Sequence, residues 1–154
     1  MRDVVYTANE QLILGIVWIA TLDDSTCWRC ATLSGQVFPV GEGPRPIIHY
    51  SCRCATTPVL LPAEELVPGR RLNVLPEEAQ ASMNGQVPAG LNYDEWLRTQ
   101  PVEIQNRVLG RRVGRLYRAG RVEISDFVDA SFNRLTIRDG LRRAGIDPTT
   151  VGLN

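Results

Sequence analysis

Lysine is absent from this sequence: all 17 basic residues are arginine, and 17 acidic residues bring the formal net charge to zero. A balanced chain sets up no whole-molecule field, which argues against holding a polyanion by bulk charge. The arginine monopoly is read as a compositional bias rather than a device. Long hydrophobic runs are missing too. The longest, residues 12–22, is interrupted by Gly15 and Thr21 and falls short of the roughly 18–20 apolar residues of a membrane span. The first residues, Met1-Arg2-Asp3-Val4-Val5-Tyr6, lack the apolar stretch of a secretory signal, so export by that route is not expected. Histidine is the scarcest titratable residue. His49 stands alone, which leaves any cysteine or serine nucleophile a single imidazole to serve as base. No glycine-rich phosphate loop is visible, and Asp23 and Asp24 precede Ser25 in what reads as a turn rather than an acid–base pair. These absences predict that the chain is not an enzyme.

What is present predicts an α+β fold. With 44% hydrophobic and 22% charged residues over 154 positions, the chain can bury about two-thirds of its unfolded surface without needing a disulfide or a metal. Residues 7–12 read as the end of a helix, and the β-branched and aromatic stretch 16–22 as a strand. Asp23-Asp24-Ser25 offers turn and capping chemistry for a short helix over 26–33, closed by Gly35. A short extended piece at 36–40 and a Pro/Gly loop at 41–46 follow, then a second strand over 52–61 with Pro58 late in it or at a sheet edge. Four prolines in residues 62–90 predict an irregular arm, with one helical turn at 77–80. Asn92 should cap a helix from Tyr93. Pro101 should open a single helix over 102–118, whose stripe is Ile104, Val108, Leu109, Val113, Leu116 and Tyr117. Gly120 stops it, a short element starts at 124–127, and a final helix covers 136–144. The expected organisation is residues 1–61 as a small sheet with a Cys/His loop region, 62–92 as the arm, and 93–154 as a helical part packed on the first.

Charge is unevenly spread beneath the neutral total. Residues 1–90 carry six arginines against nine acids, whereas residues 91–143 carry eleven against seven. Arg107, Arg111, Arg115 and Arg118 recur at i, i+4, i+8 and i+11, one side of the expected long helix. That side is either a solvated face opposite the apolar stripe or a contact surface for phosphate or an acidic partner. The aromatic interleaving of single-strand binders is missing from it.

All four cysteines and the one histidine fall within 28 residues, as Cys27-x2-Cys30 and His49-x2-Cys52-x-Cys54. A Cys-x2-Cys knuckle met by histidine and cysteine from elsewhere is a donor set for tetrahedral zinc. On a strand, Cys52 and Cys54 would share a face, about 6.5–7 Å apart. Five donors for four positions leave one surplus. Buried structural thiols explain the same residues, because free cysteine packs as a small hydrophobe. A disulfide suits a chain without an export signal less well. The cofactor expectation is one structural zinc or none.

Around the cysteines lie Trp18-Ile19-Ala20-Thr21-Leu22-Asp23, Thr26, Leu33-x-Gly35-x-Val37-Phe38, Gly43-Pro44-Arg45-Pro46 and Arg53. Further on come Tyr93-x2-Trp96-Leu97-x2-Gln100 and Gln105-x3-Leu109-Gly110-x2-Val113-x2-Leu116-x3-Gly120. Taken together, over about residues 10–143, these spacings resemble the Mu F-like phage head morphogenesis family, the minor capsid proteins of tailed bacteriophages. The resemblance implies a structural virion protein, present in multiple copies and assembled in the host cytoplasm. It would act in head assembly at the portal or inner capsid and in DNA packaging or delivery. Its partners would be the portal protein, the major capsid protein or packaged DNA, with no membrane. Cys27, Cys30, His49, Cys52 and Cys54 carry over as a structural cluster. Family members have a long helical region ahead of this signature, so a chain with 17 residues before Trp18 is expected to be a compact member or a fragment. The alternative drawn from the residues themselves is a small zinc-stabilised nucleic-acid-binding module using the arginine face.

Overall fold

Strand β1, Ile13–Ile19, is almost entirely β-branched, aromatic or aliphatic, and it forms the centre of a three-stranded antiparallel sheet. The computed structural model describes residues 2–61, 79–88 and 90–152. On either side of β1 lie β2, Val37–Phe38, and β3, Ala55–Leu60, with Ile16 opposite both Phe38 and Pro58. β3 is an edge strand, where Pro58 costs the ladder no bond on its outer side. Ahead of the sheet, helix α1, Arg2–Ala8, gives way to a 3-10 turn at Glu10–Leu12. β1 begins and ends three residues earlier than the sequence predicts. Ala20 to Leu22 leave the sheet, and Leu22 instead bridges Ser82.

The alpha-plus-beta expectation holds, with three corrections. The second strand starts at Ala55 rather than Cys52. Cys52 and Cys54 therefore lie on the loop that feeds it, and the same-face argument for them does not apply. Residues 79–88 are not irregular. β4, Ala79–Ser82, pairs with β5, Gly85–Pro88, and Ala79 and Gln80 are strand rather than helical turn. Met83-Asn84 makes the two-residue turn, with Gly85 at φ 112° and the Ser82 hydroxyl donating to the Gly85 carbonyl at 2.9 Å. Residues 62–78 and 89 of the expected arm fall outside the described residues. The third correction is the long helix, which is two helices.

Helix α2, Trp28–Leu33, follows the first cysteine, and α3, Tyr93–Thr99, opens with a capping box in which Asn92 and Glu95 each bond the other's backbone N–H. Then come α4, Val102–Leu109, and α5, Arg111–Arg118, divided at Gly110. Gly110 has φ 77° and ψ 155°, a conformation in which a Cβ is badly strained, so glycine alone makes the break inexpensive. Pro101 stands at the N-cap of α4 rather than inside it. Gln105, buried on α4, donates to the carbonyls of Leu97, Arg98 and Gln100, which ties α4 to the end of α3. After a 3-10 turn at Ile124–Phe127, α6, Ile137–Arg143, starts under a Thr136 cap.

Two clusters of buried side chains share α2. Trp28 and Ala31 join Leu22, Tyr93, Trp96, Leu97, Leu109, Val113, Leu116, Tyr117, Phe127 and Leu141 in the larger one. Cys30 and Leu33 join Trp18 and Ala20 in the smaller one, against which Phe38, Ile48, Cys27, Cys52 and Cys54 pack. A large apolar side chain contributes about 1.5–3 kcal/mol on full burial, so the six residues of α2 are fixed from both sides. Among the described residues no helix is long and apolar enough to cross a membrane.

Candidate metal centre

Cys27 is the N-cap of α2, at φ −70° and ψ 155°, and its sulfur accepts the Cys30 backbone N–H at 3.5 Å. A thiol thus occupies the place usually taken by serine or aspartate. The expected helix start at Thr26 moves inward because of it. Thr26 serves the preceding turn instead, its hydroxyl donating to the Thr21 carbonyl at 2.6 Å. Cys27 and Cys30 are left just under one turn apart, on the same side of the head of α2, with Cys30 fully buried.

His49 is delivered by the loop between β2 and β3. Its Nδ1 lies 2.8 Å from the Tyr50 carbonyl oxygen. A carbonyl can only accept, so Nδ1 carries a proton and the ring turns Nε2 towards the sulfurs. That nitrogen lies 3.3 Å from the Cys27 sulfur and 3.0 Å from the Cys30 sulfur. The loop makes its turn at a cost: Ile47 and Ser51, two residues to either side of His49, have φ of 62° and 60°, the left-handed region that branched side chains avoid. Beyond the turn the Cys52 sulfur comes to 4.0 Å from that of Cys30.

The donor atoms form two triads that share Cys30: Cys27, Cys30 and His49, and Cys30, Cys52 and Cys54, each mutually within 4.8 Å. All five sequence-predicted residues therefore converge, and they lie close enough to hold a metal ion. All four cysteines are free thiols, and 4.0 Å between sulfurs is about twice a disulfide bond. Cys30 sits in the middle as a donor. Its proton, shared towards Cys27 and Cys54, pushes its own pKa far up. The same contact draws Cys27 down to about 5, helped by His49, and Cys54 down to about 6, helped by the Thr21 backbone. Burial opposes both reductions. These contacts favour the thiolate form of Cys27 and Cys54, the form that metal ligation requires.

Ion pairs brace the loop from outside. Arg53, between Cys52 and Cys54, grips Asp23 through both guanidinium nitrogens, at 2.5 and 3.0 Å. The Thr21 hydroxyl donates to the Arg53 carbonyl, and the Tyr93 hydroxyl to that of Asp23. Asp24 takes Arg107 of α4 at 2.5 Å. Sequence reasoning saw the Asp-Asp turn but not these partners; the one available signal was an arginine set between two candidate ligands.

The four arginines expected on one helix face are divided by the break at Gly110. Arg107 stays on α4, paired with Asp24, while Arg111, Arg115 and Arg118 belong to α5. Arg118 reaches back to Gln105 and Asn106, at 3.3 and 3.1 Å. Arg111 and Arg115 are exposed and have no ion-pair partner among the described residues. The contiguous stripe therefore reduces to this pair. In comparisons with protein-family models, curated proteins and solved structures, nothing matches the chain.

Proposed function

We propose that this chain is a metal-stapled structural protein of a tailed-bacteriophage head, and that the metal is one zinc ion. The observation that carries the metal part is the convergence of five sulfur and nitrogen donors from residues 27–54. With Zn–S of about 2.3 Å and Zn–N of about 2.0 Å at tetrahedral angles, neighbouring ligands lie about 3.6–3.8 Å apart. The 3.0, 3.3 and 4.0 Å separations bracket that range. Cys27, Cys30 and His49, with Cys52 or Cys54, would hold the ion, which would neutralise the thiolates and fix the loop to α2. A structural role fits better than a catalytic one, because both nitrogens of the only imidazole are engaged, Nδ1 by Tyr50 and Nε2 by the sulfurs.

The virion reading rests on the resemblance of the flanking residues, several of which have architectural work. Trp18 packs on the cysteines, Asp23 anchors Arg53, and Gln105 ties two helices. Head assembly at the portal or inner capsid, in multiple copies and in contact with the portal or major capsid protein, is the role this supports. Packaging or delivery of DNA would be the process served. Purified heads and procapsids, probed with an antibody to the chain, should contain it together with the portal protein. Its absence from both particles would overturn the proposal. A zinc-stabilised nucleic-acid-binding module is the second reading, favoured by the exposed Arg111 and Arg115 on α5. Failure to retard DNA at low ionic strength would remove it.

A further inference from the structure

Next to the cysteine cluster is a cleft of about 420 Å³, in whose wall Cys27 and His49 take part. That volume is in the range of small-ligand sites. Two guanidinium groups line it, Arg29 from α2 and Arg134 from a β-bridge with Val128, and no carboxylate does. Neither arginine is in an ion pair among the described residues. Arg134 lies over the Trp28 ring, 4.2 Å from its centroid. The ring itself is held by an edge contact with Phe127 and by its N–H on the Val108 carbonyl at 3.0 Å. Stacking fixes the plane of the guanidinium and leaves its N–H edge available. The Arg29 Nε is shut off from water and has no acceptor among the described residues. A buried donor left unmet is costly, and the rest of the guanidinium is what Arg29 offers to the cleft.

We infer that this cleft is an oxyanion site that binds a phosphate group through Arg29 and Arg134. A carboxylate is satisfied by one planar fork. Two forks carried on separate elements suit the diverging oxygens of a tetrahedral anion better. Of the other polar wall residues, the Thr26 hydroxyl serves the Thr21 carbonyl, His49 Nδ1 serves Tyr50, and the Asn133 amide donates to Asp129 at 3.4 Å. The Cys27 sulfur is the one wall group that opposes an anion, so the site belongs to the protein in which that sulfur is a metal ligand. The inference rests on the zinc part of the proposed function and not on the virion part; metal analysis of the titrated protein separates a failure to load zinc from a failure to bind phosphate. The phosphate could be a free ion or ester, or the backbone of a nucleic acid.

The zinc-loaded protein is titrated by calorimetry at low ionic strength with inorganic phosphate and, separately, with a short single-stranded oligonucleotide. One saturable phosphate per chain is expected. Arg134→Ala and Arg29→Gln should each weaken it about tenfold or more, as loss of a charge-assisted contact does, while Arg138→Ala leaves it unchanged. Arg134 is exposed, so its variant should fold; circular dichroism confirms this for both. Tighter binding of the oligonucleotide, competed by phosphate, identifies the backbone as the source, and equal or weaker binding identifies the free anion. No saturable binding of either probe, or binding that survives both substitutions, overturns the site.

Discussion

The Asp24 carboxylate receives the Arg107 guanidinium across 83 positions of chain. That hydrogen bond is the main reason its pKa is lowered from 3.8, against an opposing contribution from burial. Because the folded state holds the carboxylate more strongly than the unfolded state, the pair stabilises the protein above pH 3.8. This contribution is lost as pH falls through the depressed value. Arg107 is 63% exposed and Asp24 18%, so solvent screening keeps the gain small. Arg107→Ala should cost about 0.2–1 kcal/mol at neutral pH, and the deficit should vanish at pH values below the carboxylate range. Urea unfolding of both proteins at the two pH values checks it, and an undiminished difference in acid would contradict the pairing. At this scale the sequence reveals local roles and hides distant ones. Asp23-Asp24-Ser25 reads correctly as a turn, because Ser25 N–H to Asp23 is a short-range bond. Nothing within a few residues of Asp24 points to Arg107.

Gly140 sits inside α6, where alanine would ordinarily gain about 0.5–1 kcal/mol. Here a Cβ would come within 2.1 Å of the Phe127 ring, and that ring is completely buried. Overpacking of this kind costs about 1–3 kcal/mol and outweighs the propensity gain. Gly140→Ala should therefore lower the melting temperature by several degrees, at about 2–4 °C per kcal/mol, as read by thermal unfolding; an unchanged or raised midpoint would mean that α6 does not dock on Phe127. Elements with local punctuation were legible. Asn92 announces a helix start that the fold uses, and the final helix expected over 136–144 forms with Thr136 as its cap. The break at Gly110 was not, because the apolar spacing runs through it and residues on both sides, Leu109 and Val113, reach the same core. Periodicity records which side chains are buried and is blind to a bend that keeps them so. Similarly, the alternation ahead of Ala55 mimics a strand where the chain is turning to present Cys52 and Cys54.

Over the whole molecule, α2 joins the cysteine cluster to the helical core, since Cys30 and Trp28 lie on opposite sides of the same short helix. Metal binding free energy acts as folding free energy where ligands must be gathered. If the proposed metal is bound, a chelator should therefore lower the melting point, with the near-ultraviolet tryptophan signal and the far-ultraviolet helical signal lost together. A helical signal that survives to a separate, higher transition would show that the two clusters melt apart. The convergence of His49 and the cysteines was one of two readings that the spacing allowed, beside buried structural thiols, because ligand chemistry restricts where such residues cluster. The division of the site into two triads was not foreseen, since it depends on the path of the loop. That path also sets the order of events when ligation is lost. Ile47 and Ser51 keep left-handed backbone angles on either side of His49, at about 1–2 kcal/mol each. Releasing His49 returns that energy, whereas releasing Cys30 returns none and exposes a buried sulfur. In the metal-bound protein proposed above, the imidazole would thus be the ligand that lets go first, and metal exchange would proceed through the loop side of the site while the knuckle on α2 keeps its hold.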